Sequence, residues 1–309
     1  MTNKTKVIYD CDPGYDDAFA MAYMHHADAF EVLMVSSVAG NVGIEHTTRN
    51  LRGLVHTMGW DVELCQGASG PMLGEQIVAT IIHGDNGLFG YHFSDEELAQ
   101  LSPRNFLEAS ISLLENSLEP ITIIATGPLT NIASLMIYRP DLASKIKEIC
   151  IMGGGIAGGN WTMCAEFNIL ADPEAAQIVF NVEVPIRMAV LDVTNQAKFT
   201  LEDLKNLQKS KRKINQILAY AASKSFEQPA IRERGFIRLH DVVAVMALLH
   251  PEFFQTQKLY VQVETEGRMT RGMTVSNRLD WNKMPPNAEV ILGLDHSAFI
   301  RNLMETLLK

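Results

Sequence analysis

The chain has 309 residues, of which 47% are hydrophobic and 20% charged, a composition typical of a globular protein with a substantial core. Its formal net charge of −10, without a stripe of basic and aromatic residues, argues against binding a nucleic-acid polymer or an anionic membrane. The sequence has no signal-peptide pattern and no bilayer-length apolar stretch, and its four cysteines are scattered. We therefore expect a cytoplasmic protein with free thiols.

Short β-branched runs alternate with helical periodicity over the first 200 residues. Strands are predicted at residues 6–12, 32–38, 62–65, 121–126, 146–152 and 186–191. Helices are predicted to begin between them, near residues 16, 44, 103, 128, 173 and 201. This alternation predicts right-handed βαβ units and a mostly parallel sheet that is covered by helices on both faces.

The pattern changes after residue 200. Helices are predicted at 211–225, from 240 onward and at 297–308, and strands at 259–264, 269–275 and 289–292. No repeat or linker composition divides the chain. We therefore predict a single α/β domain over residues 1–309, with an open, Rossmann-like sheet that is mixed but mainly parallel and has about eight strands.

Polar residues follow the carboxyl ends of the predicted strands, where open α/β sheets bind their ligands. The first strand ends in Asp10 and Asp12, and Asp16 and Asp17 follow within eight residues of Asp10. Carboxylates this close repel one another unless a cation or firm hydrogen bonds hold them. The cluster therefore indicates a site for a hard metal ion and a hydroxylated ligand, in preference to a solvated acidic turn.

Two other motifs suggest different chemistry. Residues 153–158 match the G-x-G-x-x-G pattern of dinucleotide sites, but the following Gly-Asn-Trp has no helical periodicity. Asp10-Cys11-Asp12 resembles the Asp-x-Asp of haloacid-dehalogenase-like phosphatases, in which an Asp is the nucleophile. Pro13-Gly14 stands where that chemistry needs Thr or Val, so a phosphatase is retained only as an alternative.

Several motifs together resemble the inosine-uridine preferring nucleoside hydrolase family over nearly the whole chain. They are Asp10-x-Asp12-Pro13-Gly14-x-Asp16-Asp17-Ala18, the run from Ala125 to Asn131, Met152-Gly153-Gly154, Asn160, Glu166-Phe167-Asn168 and His240-Asp241. The resemblance implies the nucleoside hydrolase fold and hydrolysis of the N-glycosidic bond of ribonucleosides to ribose and free base, in nucleoside salvage.

The resemblance also implies roles for individual residues. A Ca²⁺ ion would be held by Asp12, Asp17, Asp241 and the backbone carbonyl of Thr126, which is an all-oxygen set. Asp12 would be the general base for a Ca²⁺-bound water, and His240 and His83 would assist the departing base. Asp10 would support the metal ligands from behind. The residues expected around the ribose are Asp16, Asn41, Met152, Asn160, Glu166 and Asn168.

The base is expected to lie between residues 77–83 and 225–240. Candidate pocket residues there and nearby are Ile82, Phe167, Phe226, Arg232, Phe236 and Arg238. The presence of both His83 and His240 favours pyrimidine or inosine-uridine substrates, but the sequence leaves base preference open. Similar proteins imply a homotetramer or homodimer. A non-catalytic nucleoside- or sugar-binding protein is the second alternative.

Overall fold

A computed structural model describes residues 4–279, 281 and 283–309. It contains eleven strands in these residues, most of them short and rich in β-branched side chains. They are β1 (Thr5–Cys11), β2 (Phe30–Ser37), β3 (Glu63–Gln66), β4 (Ile121–Ala125), β5 (Ile146–Met152), β6 (Ile186–Ala189), β7 (Lys198–Thr200), β8 (Phe236–Arg238), β9 (Phe254–Val263), β10 (Thr274–Asn277) and β11 (Ala288–Leu294).

Nine of these strands form one sheet in the order β10-β9-β11-β6-β5-β4-β1-β2-β3. The strands from β11 to β3 are parallel, β9 is antiparallel to β11, and β10 is antiparallel to β9. The predicted mixed, mainly parallel α/β sheet is confirmed, with nine strands where about eight were expected.

Helices connect the strands and cover both faces of the sheet. They are α1 (Tyr15–Ala27), α2 (Ile44–Met58), α3 (Thr80–His83), α4 (Phe106–Asn116), α5 (Thr130–Tyr138), α6 (Phe167–Ala171), α7 (Pro173–Phe180), α8 (Leu191–Thr194), α9 (Leu201–Leu207), α10 (Lys213–Glu227), α11 (Pro229–Arg234), α12 (His240–Leu249) and α13 (His296–Leu308). Short 3₁₀ turns lie at Asp95–Glu97, Pro140–Lys145 and Pro251–Phe253. Within the described residues, no helix is both long enough and apolar enough to cross a membrane.

The hydrophobic core lies on the two faces of the sheet. Alternate residues of β1 belong to different clusters, because Val7 and Tyr9 pack on one face and Ile8 on the other. Helix α1 is buried around most of its circumference, and it packs against α10, α12 and α13. The first turn of α1 is therefore fixed inside the protein.

The connections reverse direction at β1. Strand β2 pairs with one edge of β1 and β4 with the other, so the loops after β1 and β4 diverge and leave a crevice. The Thr126 backbone N–H donates to the Asp10 carbonyl over 2.9 Å, which holds the two strand ends together. The crevice lies where the sequence concentrates its acidic residues.

Two details of the later chain differ from the expectation. The strand predicted at 269–275 begins only at Thr274, because a turn precedes it in which Arg271 N–H donates to the Gly267 carbonyl and Gly272 has φ +80°. In addition, β7 and β8, which were not predicted, pair as a small antiparallel ribbon. This ribbon leads the chain directly into α12.

Candidate active site

Three buried carboxylates meet at the sheet crevice. Asp16 and Asp17 lie in the first turn of α1, and Asp241 lies in the first turn of α12. One carboxylate oxygen of each lies within 4.8 Å of the others. Helix N-termini favour negative charge, so both helices help to hold these acids in place.

Asp17 is the best-bonded member of this cluster. Its carboxylate accepts hydrogen bonds from the Gly14 backbone N–H at 3.0 Å, the Thr126 hydroxyl at 2.8 Å and the Asn41 amide at 3.3 Å. Burial nevertheless raises the pKa of Asp17 to about 6. Burial and the charge of Asp17 raise the pKa of Asp16 to about 8.

The cluster has no cationic partner within the protein. Among the described residues, no Lys or Arg nitrogen lies within 4.0 Å of Asp16, Asp17 or Asp241. Burial, followed by Asp16 and Asp17, raises the pKa of Asp241. A buried oxygen of Asp16, Oδ1, has no hydrogen-bond partner. This oxygen-rich, uncompensated cluster fits a metal ion.

Asp12 lies beside the cluster and is not one of its three members. Its Oδ2 accepts the Asn41 backbone N–H at 2.7 Å, which directs that oxygen away from the other acids. Its Oδ1 is buried without a partner. Burial and the neighbouring Asp17 raise the pKa of Asp12 well above its usual value. The structure thus groups Asp16, and not Asp12, with the predicted ligands Asp17 and Asp241.

Thr126 joins the cluster to the pocket. Its hydroxyl donates to Asp17 and also lies 2.9 Å from the Tyr9 hydroxyl. Its carbonyl, the predicted metal ligand, accepts the Asn168 amide at 2.7 Å. A carbonyl oxygen has two lone pairs, so one remains for a cation.

Asp10 is fully buried and does not line the pocket. Its Oδ1 accepts the Ser36 hydroxyl at 2.5 Å and the Asn131 amide at 2.8 Å, whereas its Oδ2 has no partner. Burial raises its pKa to about 7. Asp10 therefore links β1 to β2 and α5 behind the carboxylate cluster.

A pocket of about 530 Å³ opens above the cluster. This volume suits a small organic ligand. Thr126 and Asp241 contribute to its wall, and so do all of the residues that the resemblance placed around the ribose: Asp16, Asn41, Met152, Asn160, Glu166 and Asn168.

Glu166 and Asn168 shape one wall of this pocket. Glu166 caps α6 by accepting the backbone N–H groups of Asn168 and Ile169, and it also accepts the Gly154 N–H at 3.0 Å. Burial raises the pKa of Glu166 to about 7. The Asn168 amide donates to the carbonyls of Thr126 and Met152. The loop before α6 has no helix at the G-x-G-x-x-G motif, which agrees with rejection of a dinucleotide site.

Both predicted catalytic histidines line the pocket. His83 packs 5.0 Å from the Tyr15 ring, and its unpaired Nδ1 lies 3.8 Å from Asp16 Oδ1. His240 Nδ1 lies 2.7 Å from the Thr194 hydroxyl. Burial lowers the pKa of each to about 3, and Arg238 lowers that of His240 further. Both imidazoles are therefore neutral near pH 7.

The residues expected around the base divide into two groups. Ile82, Phe167 and Arg238 line the pocket, whereas Phe226, Arg232 and Phe236 do not. The expectation for these last three residues needs correction, because other contacts engage them. Phe226 packs into the core, Arg232 donates to the Glu227 carbonyl, and cationic side chains surround the Phe236 ring.

Sequence reasoning missed several other pocket residues. Gln228, Ile231 and Arg234 recur at three-residue intervals along α11, so one face of this short helix is turned to the pocket. That interval was the available signal. Others come from loops or from segments predicted for other reasons: Tyr15, Ala79, Ile81, Trp161, Asn195 and Ala230.

Comparison with known proteins decides the family. The model of the inosine-uridine preferring nucleoside hydrolase family matches residues 7–301. The chain belongs to this family. It is 39% identical over 302 residues to a non-specific ribonucleoside hydrolase, RihC, of Salmonella newport, covering 97% of this chain and 96% of that protein.

Solved structures agree with this assignment. The chain resembles a purine-preferring ribonucleoside hydrolase from Gardnerella vaginalis, with a TM-score of 0.90, 28% identity and 98% of each chain covered. It also resembles an inosine-guanosine nucleoside hydrolase, with a TM-score of 0.90, 27% identity and 99% of each chain covered. The predicted family, enzyme class and nucleoside hydrolase fold are confirmed.

The raised pKa of Asp10 predicts a pH dependence of stability for the metal-free protein. A carboxyl with a pKa near 3.8 when unfolded and about 7 when folded stabilises the folded state at low pH, and this contribution is lost as pH rises through 7. Asp10→Asn keeps an oxygen for Ser36 and Asn131 but does not titrate.

We expect Asp10→Asn to reduce the fall in unfolding free energy between about pH 4 and 8. Urea unfolding across this range, with chelator present, measures it. Asp61→Asn, which changes an exposed carboxyl, is the control and keeps the wild-type slope. An Asp10→Asn slope equal to that of wild type contradicts the assignment.

Proposed function

We propose that this chain hydrolyses the N-glycosidic bond of ribonucleosides, of the pyrimidine or inosine-uridine type, to ribose and free base in nucleoside salvage. The observation that carries the proposal is the buried carboxylate cluster beneath a pocket lined by hydrogen-bonding groups, in a chain of this family. A sugar diol requires such a set of paired oxygen and amide contacts.

We propose Ca²⁺ as the metal, held by Asp12, Asp17, Asp241 and the Thr126 carbonyl, with Asp16 close to them. The candidate donors are all oxygens, which suits Ca²⁺ better than Zn²⁺. The unpartnered Asp12 and Asp16 oxygens also support a cation here. When bound, the ion supplies positive charge that attracts the sugar hydroxyls and lowers the pKa of the attacking water.

Asp12 is the proposed general base. Its Oδ2 is fixed by the Asn41 N–H, so its unpartnered Oδ1 is the oxygen able to take a proton from water. The neighbouring acid raises the proton affinity of Asp12, and this favours proton uptake. The same water oxygen bonds to C1′ of the ribose as the bond from C1′ to the base nitrogen breaks.

The remaining wall residues are proposed to hold the ribose. Asp16, Asn41 and Asn168 contact the 2′- and 3′-hydroxyls, and Asn160, Glu166 and the main chain of Met152 surround the 5′-hydroxyl. Asn160 uses its Oδ1 to accept the Phe167 N–H, so its amide N–H groups remain for a ligand. Buried polar groups that lose a ligand hydroxyl pay the full cost of being unpaired.

His240 and His83 are proposed to assist the departing base. A neutral His240 whose Nδ1 accepts the Thr194 hydroxyl proton carries its own proton on Nε2, which is then able to donate to the base. His83 is joined to the other side of the pocket opening through the Ile82 carbonyl, which accepts the Gln228 amide at 3.5 Å.

Other properties stay predictions. They are a single domain, a homotetramer or homodimer, a cytoplasmic location and a base preference for pyrimidine or inosine-uridine substrates. A phosphatase with Asp10 as nucleophile is disfavoured, because Asp10 is fully buried and bonded to Ser36 and Asn131. A non-catalytic nucleoside-binding protein is decided by assay.

The first experiment is a substrate panel. Purified protein with Ca²⁺ should release free base and reducing sugar from uridine or inosine, and 2′-deoxyuridine should react roughly 10⁴-fold more slowly because it leaves buried polar groups unpaired. Chromatography of the liberated base measures both rates. Nucleoside binding without release of base supports the binding-protein alternative and contradicts the proposal.

The second experiment removes the general base. Asp12→Asn has the same shape but cannot take up a proton, so kcat on uridine should fall by about 10³-fold. Asp61→Asn, which changes an exposed carboxyl, is expected to keep wild-type kcat. Circular dichroism confirms folding of both variants. A folded Asp12→Asn protein with kcat within about tenfold of wild type contradicts this role.

A further inference from the structure

Arg238 lines the pocket, but the proposed mechanism gives it no role. It is the last residue of β8, where it pairs with Lys198 of β7. Two residues later, α12 begins with His240 and the cluster member Asp241. The β7-β8 ribbon therefore brings a cationic side chain to the same cavity as the proposed leaving-group histidine.

The Arg238 guanidinium has no protein partner within the described part of the chain. No group there accepts a hydrogen bond from its nitrogens, no carboxylate lies within 4.0 Å, and Nε is buried and unpaired. A guanidinium has five N–H donors and stays charged even when partly buried. Leaving such donors unpaired is costly, so the side chain needs a ligand that is an acceptor.

The surrounding structure holds Arg238 in place by contacts other than its charge. Its carbonyl accepts the Tyr15 hydroxyl at 3.2 Å, and its Cζ lies 5.6 Å from the centre of the Phe236 ring. Arg234 also lines the pocket, with its Nε bonded to the Phe236 carbonyl. The pocket wall thus carries two arginines that have no carboxylate partner in the described residues.

The reaction generates an anion that matches this cation. When the bond from C1′ to the base nitrogen breaks, its electron pair stays on the base, and the water oxygen forms the new bond to C1′. Asp12 takes the proton released by the water, and the base regains a proton through solvent. Until then the base carries a negative charge, spread over its ring and carbonyl oxygens, which a fixed donor in a water-poor site stabilises strongly.

We propose that Arg238 is a catalytic residue that donates a hydrogen bond from its guanidinium to the departing base and stabilises the negative charge of that base. This inference rests on the proposed nucleosidase function and extends it to the leaving group. It gives the unpaired Arg238 donors a partner that appears only as the glycosidic bond breaks, so their contribution is specific to the transition state.

The test compares two leaving groups in Arg238→Gln. Loss of one preorganised donor should lower kcat on uridine by about 100-fold. The same variant should hydrolyse 4-nitrophenyl riboside nearly as fast as wild type, because nitrophenolate is a weak base that departs with little assistance. Release of uracil and of nitrophenolate measures the two rates, and circular dichroism reports folding.

Two further variants complete the test. Arg238→Lys keeps the positive charge and should recover part of the lost rate on uridine. Arg301→Gln removes an exposed arginine on α13 and should leave both rates unchanged.

The outcomes separate the inference from the function it rests on. Equal losses on both substrates, or a wild-type rate on uridine in folded Arg238→Gln, overturn the role of Arg238 while hydrolysis by the wild type stands. Absence of base release by the wild type overturns the proposed function and the inference together.

Discussion

The burial of several carboxylates without a protein cation is the constraint on which the rest of this structure depends. Taking an ion out of water costs on the order of several kcal/mol, and Asp12, Asp16, Asp17 and Asp241 adjoin one another. Three donors to Asp17 and the N-termini of α1 and α12 offset part of this cost. The raised pKa values show that a substantial cost remains for a bound cation to offset.

The fold around the site follows from this constraint. Helix α1 must be buried in order to fix its acidic first turn, and the reversal of connections at β1 opens the crevice above it. Backbone also approaches the acids closely, since a Cβ at Gly40 would lie 2.1 Å from Asp12 Oδ2. The ligand cavity is thus built on rigid strand ends, while α3 and α11 form the more variable wall beside the base.

Much of this organisation could be predicted from the sequence. Strands alternating with helices predicted the sheet, and motifs at strand ends predicted the pocket wall, because the carboxyl ends of parallel strands meet at one edge. The proximity of Asp16 to Asp17 and Asp241 could not be predicted, since it depends on side-chain directions within one helical turn. The pocket face of α11 was also missed, because a six-residue helix gives too short a period for a reliable pattern.

Calorimetric titration of chelator-treated protein with Ca²⁺ tests the central claim most directly, because it measures the missing charge independently of turnover. We expect one Ca²⁺ to bind per chain to wild type, with binding lost in Asp17→Asn and retained in Asp61→Asn, whose carboxyl is exposed. Absence of Ca²⁺ binding in wild type, or unchanged binding in Asp17→Asn, contradicts the account.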